Sequence, residues 1–203
     1  MNEGSNPASP GRLRDRLREE TARLILQAAE AVFAEDGLHA ARMERIAARA
    51  GVAVGTLYNH FRDRDALLRS LARSRREALL ERVDAALAGV ARGDLRARLH
   101  AFLATLAAHA REHGRFISVL VQAGEGPARP RPPRTLVADL VARADRLVAD
   151  GVAAGALRPD RAKVFGLALV GMARAVFLRS LEEGGAEDLA DAVLELFLEG
   201  TAR

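Results

Sequence analysis

Residues Met43 to Arg64 read MERIAARAGVAVGTLYNHFRDR, and the fold turns on this stretch. A helix–turn–helix crosses two short helices at about a right angle, so small residues must occupy the crossing. Ala47 and Ala50 lie on the inner face of a first helix expected at about 43–50. Gly51 follows, where a glycine takes the left-handed conformation that turns the chain sharply. Ile46, Val52, Leu57 and Phe61 then supply an apolar plug beneath both helices. The second helix, about 54–60, opens with Gly55 and Thr56, where a missing side chain allows close approach and a hydroxyl reaches a phosphate or a base edge. Tyr58, Asn59 and His60 crowd a helix of barely two turns, and a buried core would not choose them. Tyrosine and histidine donate hydrogen bonds to phosphate oxygens, and asparagine pairs with an adenine edge. Arg42, Arg45 and Arg49 lie on or beside the first helix, and Arg62 and Arg64 follow the second. These five are candidate phosphate contacts, modest singly and salt-dependent together.

Working outward, prolines sit only at Pro7, Pro10, Pro127, Pro130, Pro132, Pro133 and Pro159. Between Gly11 and Gly126 valine and isoleucine are scattered among Ala, Leu, Arg and Glu, strong helix formers, with no strand alternation. The expected fold is all-α, with about nine helices. The first runs from about Arg14 to Glu35 and carries a stripe of Leu24, Ile25, Ala28, Ala29, Val32 and Phe33. After the two short helices, a long one starts near Asp63 or Asp65 and reaches about Leu87. Asp94 caps another that ends near His113-Gly114, and a short helix carries Phe116 to Val121. The proline-rich stretch Ala123–Arg134 is expected as a mobile loop. Thr135 caps a helix to about Ala154, Pro159 opens one to about Leu181, and a last helix follows Gly184-Gly185 from Ala186 to Leu198. The organisation is a disordered tail (1–13), a helix–turn–helix domain (14–62) and a helical effector-binding and dimerisation domain (63–203).

Of 31 basic residues only Lys163 is lysine, and against 27 acidic residues they leave a net charge of +4. That excess permits nucleic-acid binding without demanding it, since arginine-, alanine- and leucine-rich composition also follows from GC-rich coding. Zero cysteines exclude a disulfide framework, a thiolate metal site, an iron–sulfur cluster and a cysteine nucleophile. No glutamate has histidine three residues later, and there is no phosphate-cradling glycine loop or nucleophile elbow, so no enzyme signature emerges and no cofactor is implied. His109 and His113 form an i,i+4 pair with no third ligand, so no metal is expected. The N-terminus lacks an apolar signal segment, and Arg174 closes the uncharged run Val164–Ala173 at about half a bilayer span. A cytoplasmic protein without a membrane partner is the expectation.

With these residues in place, the chain closely resembles the TetR family of bacterial transcriptional regulators. The family pattern IAxxAGVSxGTLYxHFxxKxxLL is matched by Ile46, Ala47, Ala50, Gly51, Val52, Gly55, Thr56, Leu57, Tyr58, His60, Phe61, Arg64, Leu67 and Leu68. Gly151–Asp160 and the following GLALVGMARAVFL resemble its penultimate linker and dimer helix. The resemblance implies phosphate contacts from Tyr58 and His60, a basic helix opening at Arg64, and base reading near Val54, Gly55 and Thr56. Two positions depart: Ala53 and Ala41 stand where the family has capping hydroxyls, each loss costing ~1 kcal/mol. Arg42 is a substitute for the missing phosphate contact, and Val54 meets a thymine methyl or no base.

The resemblance also implies that the larger domain binds a small molecule and forms a homodimer on double-stranded DNA. Two readers recognise a palindromic operator where one short helix makes too few contacts. For the interface the candidates are Leu167, Val170, Ala173, Val176, Leu189, Val193, Leu196 and Phe197, apolar on more than one helix face. For the pocket they are Phe102, His109, Phe116, Leu120, Phe165, Met172 and Phe177, whose low polarity favours a hydrophobic or amphipathic effector. Arg12, Arg14, Arg16 and Arg18 form either a groove-following arm or a solvated tail. The whole reads as a ligand-responsive repressor; the alternative is a protein–protein adaptor that keeps a silent helix–turn–helix.

Overall fold

The computed structural model describes residues 10–124, 135–160, 162–183 and 189–201. Among them there are eight helices and no strand: α1 Pro10–Ala40, α2 Met43–Ala50, α3 Val54–His60, α4 Arg64–Ala88, α5 Leu95–Gly124, α6 Leu136–Ala153, α7 Ala162–Glu183 and α8 Leu189–Thr201. The expected tail 1–13 is helical from Pro10, and residues 1–9, most of the proline-rich stretch and the Gly184-Gly185 break lie outside the described residues. Pro159 precedes α7 instead of opening it. The chain divides into two compact units, one to Arg73 and one from Ser74, so the boundary falls inside α4 and later than the expected 62/63. Leu67, Leu68 and Leu71 on the first turns of α4 are buried within the first unit.

In the first unit, α1 buries Ile25, Ala28, Ala29, Val32 and Phe33, while Leu24 of the expected stripe is exposed. Its regular geometry breaks at Gly37, close to the expected stop. Met43, Ile46 and Ala47 of α2, Leu57 of α3 and Phe61 complete this core. The turn between α2 and α3 rests on Gly51, at φ 69° and ψ 29°. From there the Gly51 N–H donates to the Ala48 carbonyl (3.2 Å) and the Val52 N–H to the Ala47 carbonyl (3.0 Å), which satisfies two of the otherwise orphaned carbonyls of α2.

The second unit is built on one core that joins Leu79 and Val83 of α4, Phe102 and Leu103 of α5, Leu147 of α6, Phe165 and Val170 of α7 and Phe197 of α8. Phe165 and Phe197 meet edge to face, with centroids 6.2 Å apart. Capping follows expectation at three starts: Asp63 accepts from the Ala66 N–H (2.6 Å), Asp94 from Ala97 (2.9 Å) and Thr135 from Ala138 (3.2 Å). The Ala66 bond, helped by Arg62, holds the Asp63 carboxyl below the usual carboxylate range.

One expected break is absent. Gly114 continues α5, merging two anticipated helices into one. A Cβ there would overlap the Leu181 side chain of α7, so this glycine serves close helix packing and no turn. α7 is long and apolar enough to cross a membrane by length and composition, with a mean hydropathy of 1.7 over Ala162–Leu181. Its residues Phe165, Leu169, Val170, Ala173 and Phe177 are instead buried in the unit's core.

The turn generates a prediction. Gly51→Ala forces an L side chain into the left-handed region and is expected to destabilise the protein by about 1–2 kcal/mol. Urea unfolding of the variant against the parent chain checks this, and an unchanged midpoint contradicts it.

Candidate nucleic-acid interface and bundle sites

Helix α3 has seven residues and one buried side chain, Leu57. It is therefore held from beneath by Leu57 and at its end by the Phe61 N–H donating to the Leu57 carbonyl (2.9 Å). Its start has no side-chain cap: Ala53 is the N-cap and offers none, as does Arg42 before α2. With the inner face anchored, the other residues turn outward. Val54, Gly55, Tyr58 and Asn59 are exposed, Tyr58 to 45%, while Thr56 and His60 are half-buried. No heavy atom lies within 4 Å of the position a Cβ would take on Gly55, so a partner has open access to that backbone.

The arginines divide into those with partners and those without. Arg45 pairs with Glu35 (2.6 Å) and with Asp36, and Arg49 pairs with the same Glu35 (2.6 Å). Both charges therefore pin α2 to α1 and are partly neutralised before any phosphate approaches. Arg64 donates to the His39 carbonyl (2.8 Å), clamping the start of α4 onto the end of α1, and Arg62 pairs with Asp63 (2.8 Å). The Arg42 side chain is exposed and has no hydrogen bond or ion pair among the described residues. Glu35 and Asp36 were not among the sequence candidates: nothing local marks them, because their partners lie nine to fourteen residues away.

In the second unit the two sets of candidates are placed as follows. Phe102, His109, Phe116, Phe165 and Phe177 are buried side chains and Leu120 and Met172 are half-buried, and none of the seven lines the cavity found there. That cavity is an open groove of about 520 Å³ between α4 and α5, lined by Arg82, Ala85, Ala86, Ala101, Ala104, Thr105 and Ala108, of which Arg82, Ala85 and Ala108 are exposed. Large rings fill the apolar interior, and the space is left where alanines face each other. Of the interface candidates, Val170, Ala173, Val193 and Phe197 are buried in the unit's own core and are not available to another chain. Leu167 and Leu196 are exposed, at 57% and 61%, and Val176 and Leu189 are half-buried. Helical spacing alone does not say which apolar face meets its own chain.

His109 is buried, its ring 4.6 Å from that of His113, and its Nδ1 has no hydrogen-bond partner. Burial, aided by the neighbouring His113 and Arg82, pushes its pKa down to about 4. Among the described residues no three His, Cys, Asp or Glu side chains group as metal ligands.

An outward-facing short helix on an apolar plug, carried by a helical unit and followed by a helical bundle, defines a helix–turn–helix protein of the two-unit type. Residues 25–71 match the model of the bacterial regulatory proteins of the tetR family. The match places the helix–turn–helix in that family's N-terminal domain, and the relatives and solved structures support TetR-family membership. Among curated proteins it is 38% identical over 60 residues to the fatty acid metabolism regulator protein of Bacillus subtilis, covering 30% of this chain and 31% of that one. The match thus spans about a third of that relative's length. Among solved structures it resembles a TetR transcriptional regulator from Chloroflexus aurantiacus (TM-score 0.74, 20% identity, 93% of this chain and 100% of that one). It also resembles the transcriptional regulator FadR from Bacillus subtilis in complex with stearoyl-CoA (TM-score 0.71, 20% identity, 88% and 98%). At such identities these structures share the fold.

The neutral, buried His109 sets a pH dependence. Its pKa is about 4 folded and near 6.5 unfolded, so between those values the unfolded chain binds the extra proton. The stability due to neutral His109 is thus present above pH 6.5 and lost as pH falls toward 4, by roughly 1–3 kcal/mol. Urea midpoints of the parent chain should fall between pH 6.5 and 4.5 more steeply than those of His109→Leu; parallel curves contradict the assignment.

Proposed function

We propose that the chain is a DNA-binding transcriptional regulator, acting as a homodimer whose hold on a palindromic operator responds to a small molecule. The observation that carries this reading is the division of α3: Leu57 is buried, while Val54, Gly55, Tyr58 and Asn59 are offered to solvent. An exposed valine and tyrosine on a seven-residue helix have little reason to face water unless a partner covers them. The helix fits a major groove, with Tyr58, His60 and Arg42 on phosphates and Asn59, Thr56 and the Val54 methyls on base edges. Arg45, Arg49 and Arg64 act mainly in positioning, since each already holds a protein acceptor.

Homodimerisation is supported by the apolar surface that α7 and α8 leave uncovered, with Val164, Leu167 and Leu196 each more than half exposed. A two-fold pairing of these helices removes that area from water and sets two readers about 34–36 Å apart, one turn of DNA. The effector in this reading is hydrophobic or amphipathic and the regulator a repressor. Support comes from the stearoyl-CoA complex of the structural relative FadR and from the open apolar groove between α4 and α5. An effector that binds one arrangement of the bundle more tightly shifts the population away from the operator-binding state.

Selection of bound sequences from random duplex DNA, at two salt concentrations, tests the reading. A palindrome should be enriched, and Tyr58→Ala with His60→Ala should lower affinity for it by about tenfold or more, as expected for two charge-assisted phosphate bonds. Sequence-blind binding by the parent chain opposes the proposal and favours the adaptor reading. Leu167→Arg with Leu196→Arg should halve the mass seen by sedimentation at low micromolar concentration while leaving the helical circular dichroism intact.

A further inference from the structure

Helix α1 reaches well beyond the core it serves. Its first buried residue is Ile25, and residues 12–20 are all exposed. Along this free stretch Leu13 is 56%, Leu17 58% and Leu24 40% exposed. Their spacing of four and seven residues lays them in one line on the helix, the a and d pattern of a coiled-coil seam. With Leu17 and Leu24 at a and Leu13 at d, the e positions hold Arg14 and Thr21 and the g positions Arg16 and Arg23. The seam is thus flanked by arginine on both sides, with no carboxylate in either flank.

This arrangement discriminates among occupants. Had the segment been extended, Arg12, Arg14, Arg16 and Arg18 would have shared one face and could follow a groove. On a helix, at about 100° per residue, they separate to opposite flanks of the leucines, so a single phosphate backbone reaches only some of them. A lipid surface asks for a wide apolar face, whereas this stripe is one leucine wide and interrupted by Glu20. A second copy is a poor match as well. Parallel pairing sets Glu20 against Glu20 in the seam, and antiparallel pairing sets the arginines of one g flank against those of the other. The flanks lack the charge that a different helix can bring.

We propose that residues 12–24 of α1 are a docking surface for an amphipathic helix of another protein, apolar at a and d and acidic at e and g. Leucines of the partner cover Leu13, Leu17 and Leu24, and its carboxylates reach Arg14, Arg16 and Arg23. A cation at the partner's matching d position answers Glu20, which now pairs with Arg23 (2.5 Å). The proposal stands apart from the DNA reading, because it uses no residue of α3 and predicts a partner whether or not an operator exists.

Two designed peptides of three heptads serve as probes, both with leucine at every a and d, one with glutamate and the other with lysine at every e and g. Titrated as fluorescent labels with the full chain, the glutamate peptide should bind at least about tenfold more tightly than the lysine peptide. Leu13→Ala with Leu17→Ala should weaken the glutamate peptide by about tenfold or more; both residues lie outside the core, so the fold survives. Arg14→Glu with Arg16→Glu should reverse the preference toward the lysine peptide. Equal binding of the two peptides, binding of neither, or indifference to the loss of both leucines overturns the proposal. So does a charge exchange that lowers affinity for duplex DNA while leaving the peptide preference untouched, which makes the arm a phosphate contact.

Discussion

A left-handed turn at one residue carries the geometry on which the first unit depends. At φ 69° Gly51 reverses the chain while two hydrogen bonds close onto the Ala47 and Ala48 carbonyls at the end of α2, and α3 can start within three residues. Seven residues are too few to be helical on their own, since nucleation costs more than two turns return. Helix α3 therefore exists because Leu57 is held in the plug formed with Ile46, Ala47 and Phe61. That dependence frees every other position on α3 from a structural task. Tyr58 and Asn59 face outward on a rigid base, the condition a recognition surface needs.

Arginine does much of the remaining positioning. Arg45 and Arg49 converge on Glu35 and Asp36, and Arg64 reaches the His39 carbonyl, so three cations fasten α2 and α4 to the end of α1. In the second unit Arg76 holds Asp139, Arg143 holds Asp84 and Arg82 holds Glu112. The acidic partners of Arg143 and Arg82 have carboxyls held below their ordinary range by those same bonds. Exposed pairs of this kind contribute little each, at most about 1 kcal/mol. Their effect is to orient helices and to remove charges from the count that net charge suggests. In a protein of pI near 10.7, Arg42 is thus, among the described residues, the one of the five candidate arginines whose side chain holds no partner.

How far the sequence could be read depended on the range of the interactions involved. The short helices, the left-handed glycine and the caps at Asp63, Asp94 and Thr135 are decided within a few residues, and they are legible. Gly114 was not, because what selects glycine there is Leu181, far along the chain in another helix. The candidate pocket residues are ambiguous for a related reason. Phe102, Phe165 and Phe177 have the size and apolarity of ligand contacts and equally those of core, and close packing favours the largest rings at the centre. The open groove between α4 and α5 lies along Ala85, Ala86, Ala101, Ala104 and Ala108, small residues that a search for hydrophobic bulk passes over.

Exposed leucine is what the fold leaves unexplained by its own needs. On α7 and α8 one face of each helix supplies Phe165, Val170, Val193 and Phe197 to the core, and another leaves Leu167 and Leu196 in water. On α1 the same contrast runs along the axis, with Ile25 to Phe33 buried and Leu13 and Leu17 exposed beyond them. Single exposed apolar residues need no explanation, but aligned ones on rigid helices cost free energy that a partner can recover, about 25 cal/mol for each Å² covered. The two surfaces differ in what surrounds them. The face on α7 and α8 sets leucine among alanine and glycine at positions 168, 171, 175 and 192, small side chains that let an identical helix pair approach closely, with charges of both signs at its edges in Arg174, Glu195 and Glu199. The stripe on α1 is bordered by arginines, which repel their own copies and invite carboxylates. Flanking charge, more than exposed apolar area, is therefore what distinguishes the surface proposed for self-association from the one proposed for a different protein.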